Sequence, residues 1–127
     1  MGGYTDRENF YIISNNNNLE GRVRGPNSQL DNLFVSGSIA LSTSVWYHLA
    51  VTYDGSGEGL GYFNGVLQPV GYNMDPIGLN FDPAKNMHIG MSPLYGNPLR
   101  GSLKYLKLYN SVLSAEQIMA LRVDAIG

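Results

Sequence analysis

Val45-Trp46-Tyr47-His48-Leu49-Ala50-Val51-Thr52-Tyr53, followed at once by Asp54-Gly55-Ser56-Gly57, is the most informative run in the chain. Tyr47, Leu49 and Val51 fall on one row of a period-two pattern, and Trp46, His48, Ala50 and Thr52 on the other. Alternate side chains of a strand point to opposite faces of a sheet. Both rows are largely apolar, so the run predicts a central strand covered on both sides, with Trp46 in the core. The Asp-Gly-Ser-Gly segment predicts the turn that ends it.

Downstream, Leu60-Gly61-Tyr62-Phe63 and Val66-Leu67-Gln68 flank Asn64-Gly65. Asn-Gly supplies the two positive φ angles of a type I′ turn, so these residues predict a two-residue hairpin. Upstream, Phe10-Tyr11-Ile12-Ile13 and the alternating Leu19-Glu20-Gly21-Arg22-Val23-Arg24 read as a second hairpin joined through Asn15-Asn16-Asn17-Asn18. Asn tolerates left-handed backbone and bonds to its own main chain, which suits it to such a loop. Leu33-Phe34-Val35 and Ile39-Ala40-Leu41 are either one bent strand or two short ones.

Beyond the Asn-Gly hairpin, residues 70–85 carry Gly71, Pro76, Gly78 and Pro83 among isolated apolar positions and predict a long loop. Met87-His88-Ile89 reads as a short strand, residues 91–99 as a second loop, and Leu103-Lys104-Tyr105-Leu106-Lys107-Leu108-Tyr109 as a further strand. One short helix closes the chain. Ser114 and Gln117 have the spacing of a capping box, and Leu113 with Ile118 that of a hydrophobic staple.

Composition narrows the function. A chain of 127 residues is within single-domain size and long enough to bury a core. With no cysteine it has no disulfide framework, zinc–thiolate site or thiol nucleophile. Eight Lys plus Arg stand against ten Asp plus Glu, a balance that argues against nucleic acid as a partner, since binding it requires clustered positive charge. No apolar stretch approaches the roughly 20 residues of a membrane span, and the first residues lack a signal-peptide core. A soluble chain is expected, with its compartment undetermined.

Four segments, in order, resemble the laminin-G-like jelly roll of the concanavalin A-like lectin/glucanase superfamily. They are Trp46 to Gly55, similar to W-x-H-V-A-V-T-Y-D-G; Tyr62 to Val66, similar to Y-V-N-G-V; His88-Ile89-Gly90, similar to a strand ending in I-G; and Gly101 to Ile118, similar to G-x-I-D-E-V-R-I-Y-N-R-A-L-S-x-E-E-I. The resemblance covers residues 46–121 and implies an all-β, two-sheet antiparallel jelly-roll sandwich with one short C-terminal helix. Residues 1–127 are then expected to be one such domain, lacking the family's first strands.

Where the resembled pattern has Asp-Glu, this chain has Lys104-Tyr105. If the Asp helps to hold a structural calcium in relatives, Lys104 disfavours one here, because calcium requires six to eight oxygen ligands. No cofactor is expected. The missing first strands imply an open sheet edge, whose unpaired backbone groups invite another strand. A homodimer or higher oligomer is the resulting expectation.

Glucanases on this fold need two carboxylates about 5 to 9.5 Å apart. No E-x-D or E-x-x-x-E pattern lies on a predicted strand, so the chain is expected not to be an enzyme. Asp75 and Asp82 are what remains for a divergent hydrolase. His48 and His88 sit in apolar strands without a neighbouring carboxylate to orient a base, which favours structural roles. Gly55-Ser56-Gly57-Glu58-Gly59 precedes a strand rather than a helix, so it reads as a turn and not a phosphate loop.

The candidate binding residues are therefore those of the two long loops: Tyr72, Asn73, Asp75, Asp82, Tyr95 and Asn97. Tyrosine rings offer flat amphipathic surface, and Asn and Asp can bond to hydroxyls. The expected function is a non-catalytic recognition module that binds a glycan or a protein surface through loops 70–85 and 91–99. The alternative is a structural protein that self-assembles through the open edge.

Overall fold

The computed structural model describes residues 10–15, 18–24, 30–35, 41–55, 59–68, 87–91 and 98–126; within 10–35 it describes the backbone. Among the described residues, six strands and one helix follow in order: β1 (Phe10–Asn15), β2 (Asn18–Arg24), β3 (Leu30–Val35), β4 (Leu49–Tyr53), β5 (Gly59–Phe63), β6 (Val66–Leu67) and α1 (Ala115–Ile126). They form two three-stranded antiparallel sheets, β1-β2-β3 and β4-β5-β6. Residues of β3 and β5 approach one another, and this brings the two sheets together.

The upstream hairpin pairs Phe10 with Val23 through to Asn15 with Asn18, so two of the four asparagines extend the ladder rather than the loop. Between β2 and β3 the register steps from Gly21↔Phe34 to Arg22↔Asn32, a β-bulge. An extra residue of this kind bends a strand and increases its twist.

The Asn-Gly hairpin forms as its sequence predicts. Asn64 has φ 51° and Gly65 φ 80°, and the ladder closes through Tyr62↔Leu67 and Phe63↔Val66. The Gln68 amide adds one more bond, to the Gly61 carbonyl at 2.8 Å. Gly55, at φ 82°, makes the turn expected after Tyr53.

Three expectations are corrected. First, β4 begins at Leu49 and not at Val45, and the central strand of its sheet is β5. Ser44, at φ 64°, lies in the turn that precedes Val45-Trp46-Tyr47-His48, and these four residues are outside the ladder. The strand is anchored at its start by Asn64 instead. The His48 amide donates to Asn64 Oδ1 at 3.0 Å, and the Asn64 amide donates to the His48 carbonyl at 2.8 Å.

Second, Leu103 to Tyr109 forms no strand, although it carries strand-forming residues. Tyr105 has φ 57°, a left-handed value that breaks an extended run and that bulky side chains seldom adopt. Leu103, Leu106 and Leu108 are exposed. Met87-His88-Ile89 is likewise outside any ladder; Gly90 turns at φ 84° and its carbonyl accepts from the Leu99 amide at 2.6 Å. Third, Trp46 is 45 % exposed and is not a core residue.

Among the described residues the buried apolar side chains are Tyr62 on β5 and Ile118 on α1. Tyr47 stacks on Phe63 with ring centroids 5.3 Å apart, and its hydroxyl accepts from the Ser42 amide at 2.8 Å. The helix starts where its capping box predicts: Gln117 N donates to Ser114 Oγ at 3.2 Å, and Ser114 N donates to Gln117 Oε1 at 2.8 Å. Two amides that the first turn would leave unpartnered are thereby satisfied. One turn further on, Met119 lies against the Asn-Gly turn, and a methyl group added to Gly65 would come within 2.7 Å of Met119 Sδ.

Candidate functional site

The turn at Thr43-Ser44 delivers Val45 and Trp46 to the last turn of α1, where Ala125 and Ile126 lie. Together with Lys104 and Arg122 they line an open hollow of about 560 Å³.

Within the hollow the Lys104 ammonium stands 4.5 Å from the Trp46 ring centroid and 5.2 Å from that of Tyr105. Both distances are within cation–π range, about 6 Å. The contact fixes a flexible cation against flat apolar surface. Arg122 projects from α1 with its Nε buried and unpartnered among the described residues.

His48 is the residue before β4. Its Nδ1 is buried and has no hydrogen-bond partner among the described residues. Burial lowers its pKa below the usual 6.5, and the positive charges of Arg122 and Lys107 lower it further. Both influences favour the neutral ring. Among the described residues no acceptor orients its Nδ1.

Tyr72, Asn73, Asp75 and Asp82 of the first loop, and Tyr95 and Asn97 of the second, lie outside the described residues. Among the described residues no three His, Cys, Asp or Glu side chains gather into a possible metal site, and no helix is long and apolar enough to cross a membrane.

The family model of the concanavalin A-like lectin/glucanase superfamily, in its laminin-G-like form, matches residues 2–119. The chain belongs to this superfamily. Members of the superfamily are β sandwiches, and the described residues of this chain include two three-stranded antiparallel sheets. The match also includes residues 2–45, where the quoted motifs carry no resemblance. A crystal structure of residues 221–444 of an S-layer domain-containing protein from Clostridium thermocellum is similar, with 23 % identity and a TM-score of 0.54, over 96 % of this chain and 67 % of that one. At this identity the likeness concerns fold alone. No curated protein matches the sequence.

Within the superfamily pattern, the hollow gathers residues that sequence reading did not connect. Trp46 read as core, Lys104 as a cation in place of a calcium-binding carboxylate, and Arg122 drew no attention. No spacing rule links positions 46, 104 and 122. The one available signal was Lys104 itself, a charge placed where the resembled motif has the opposite sign.

Proposed function

We propose that this laminin-G-like chain is a non-catalytic recognition module, one domain over residues 1–127 with its sheets arranged as a jelly-roll sandwich. It binds a glycan or a protein surface through loops 70–85 and 91–99, with Tyr72, Asn73, Asp75, Asp82, Tyr95 and Asn97 as contact residues. Membership of a superfamily of lectins and glucanases carries this reading. The absence of an E-x-D or E-x-x-x-E pattern from the predicted strands turns it toward binding and away from hydrolysis. The test is a glycan array combined with a thermal-shift screen. Selective binding that is lost in Tyr72→Ala and Tyr95→Ala supports the reading, and a blank result in both assays sinks it.

A second reading, self-assembly into a homodimer or higher oligomer, is favoured by one observation. Leu103, Tyr105, Leu106 and Leu108 are all more than 60 % exposed in one continuous run, a concentration of apolar surface that association would cover. The similar solved structure comes from an S-layer domain-containing protein, which suits a structural module as well as a binding one. Light scattering at micromolar concentration decides between them: a monomer removes the second reading.

A further inference from the structure

We propose that the run Leu103–Tyr109 of one molecule docks on the outward face of α1 of a second copy, so that self-association joins two unlike surfaces. The inference rests on the self-assembly reading and names both sides of its contact.

Glu116, Met119, Ala120, Val123 and Asp124 stand at i, i+3, i+4, i+7 and i+8 of α1, the spacing that gathers residues on one stripe of a helix. All five are exposed, whereas Ile118, on the opposite side, is buried. The helix thus turns an apolar stripe outward, with a carboxylate near each end and no cation among its members. The outward face of a surface helix is ordinarily polar, so this stripe is surface that a partner would cover.

The run is its counterpart. Leu103, Leu106 and Leu108 are 62 %, 61 % and 70 % exposed. Arg100, Lys104 and Lys107 lie among them, and residues 98–112 hold no Asp or Glu. Lys104 is held over the Trp46 ring, while Arg100 and Lys107 stand exposed. Three cations are thereby concentrated in one segment of a chain with eight basic and ten acidic residues, which leaves the remainder acidic.

Charge selects the pairing. Two copies joined run to run would set these cations against their equivalents, and two helix stripes would set carboxylate against carboxylate. Like charges facing each other suppress such pairings. Run against stripe brings cations to carboxylates and removes apolar side chains of both from water. An anionic membrane would also attract the run, but it would repel the acidic stripe and leave it uncovered.

Sedimentation velocity over a range of micromolar concentrations tests the contact. Lys107→Glu reverses a charge on the run and Asp124→Lys one on the stripe, and each should weaken self-association about tenfold or more. A lysine in the last turn of a helix is favourable to it, so Asp124→Lys should fold. Mixing the two variants in equal amounts should restore association. The reversed run of one copy then faces the reversed stripe of the other, and the unaltered run and stripe face each other as before. Recovery also shows that both variants are folded.

Association that Asp124→Lys leaves unchanged overturns the run-to-helix contact while self-association stands. A parent chain that is monomeric throughout overturns both. Failure to recover on mixing, with circular dichroism of both variants matching the parent, overturns the pairing. A monomer that cosediments with phosphatidylglycerol vesicles assigns the run to an anionic membrane and overturns the second copy as its occupant.

Discussion

His48 and Asn64 are joined by two hydrogen bonds of opposite sense: the His48 amide donates to Asn64 Oδ1 at 3.0 Å, and the Asn64 amide donates to the His48 carbonyl at 2.8 Å. A turn residue thus satisfies both backbone groups of the residue before β4, as a neighbouring strand would. The left-handed φ of 51° at Asn64 belongs to the same turn.

Two substitutions separate the roles of Asn64. Asn64→Gly keeps the turn backbone but removes Oδ1, at an expected cost of about 1 kcal/mol. Asn64→Ala also places an ordinary side chain at positive φ and should cost about 2 kcal/mol. Urea unfolding followed by circular dichroism measures both. A Gly variant as stable as the parent would show that the side-chain bond contributes nothing.

Gly65→Ala should cost about 1 to 2 kcal/mol, because φ at this position is 80°. The new methyl also meets Met119 Sδ and Cε, at 2.7 and 2.8 Å. Those atoms end a flexible side chain, so the crowding adds little. A Gly65→Ala/Met119→Ala pair should therefore cost slightly less than the sum of its single variants. Full recovery in the pair would mean that crowding, not backbone conformation, is the cause.

Ser114→Ala removes the acceptor for the Gln117 amide and should lower stability by about 1 kcal/mol. Ser114→Thr keeps a capping hydroxyl and should recover most of it. The comparison is read from urea midpoints at constant slope.

His48 makes stability depend on pH with a defined sign. Its folded pKa is below its unfolded value, so between the two the unfolded chain binds more protons and is favoured. Stability should fall as pH drops through about 6.5 and level off below the folded pKa. His48→Gln should flatten that part of the profile, and a slope unchanged by the substitution would assign it to other groups.

Local chemistry was the most legible part of the fold. Asn64-Gly65 and Ser114 to Gln117 each encode their geometry within four residues, and both formed as written. Leu103 to Tyr109 shows the limit: its strand propensity was plain, but the left-handed Tyr105 is set by context and not by composition. Trp46 shows another, since burial depends on what covers a residue. The loop candidates Tyr72, Asn73, Asp75, Asp82, Tyr95 and Asn97 rest on residue type alone, whereas the Trp46, Lys104 and Arg122 cluster exists only through the chain's path in space.

The packing of Met119 against Gly65 also affects the order in which the molecule is completed. During synthesis the Asn-Gly hairpin emerges well before α1 and can close by itself, because its bonds are local. Its outer surface then waits for a helix encoded at the far end of the chain. A contact between such distant positions forms late and slows the final step of folding. Until α1 leaves the ribosome, the nascent chain holds a formed turn with no cover, and that interval is when it is most exposed to misassembly.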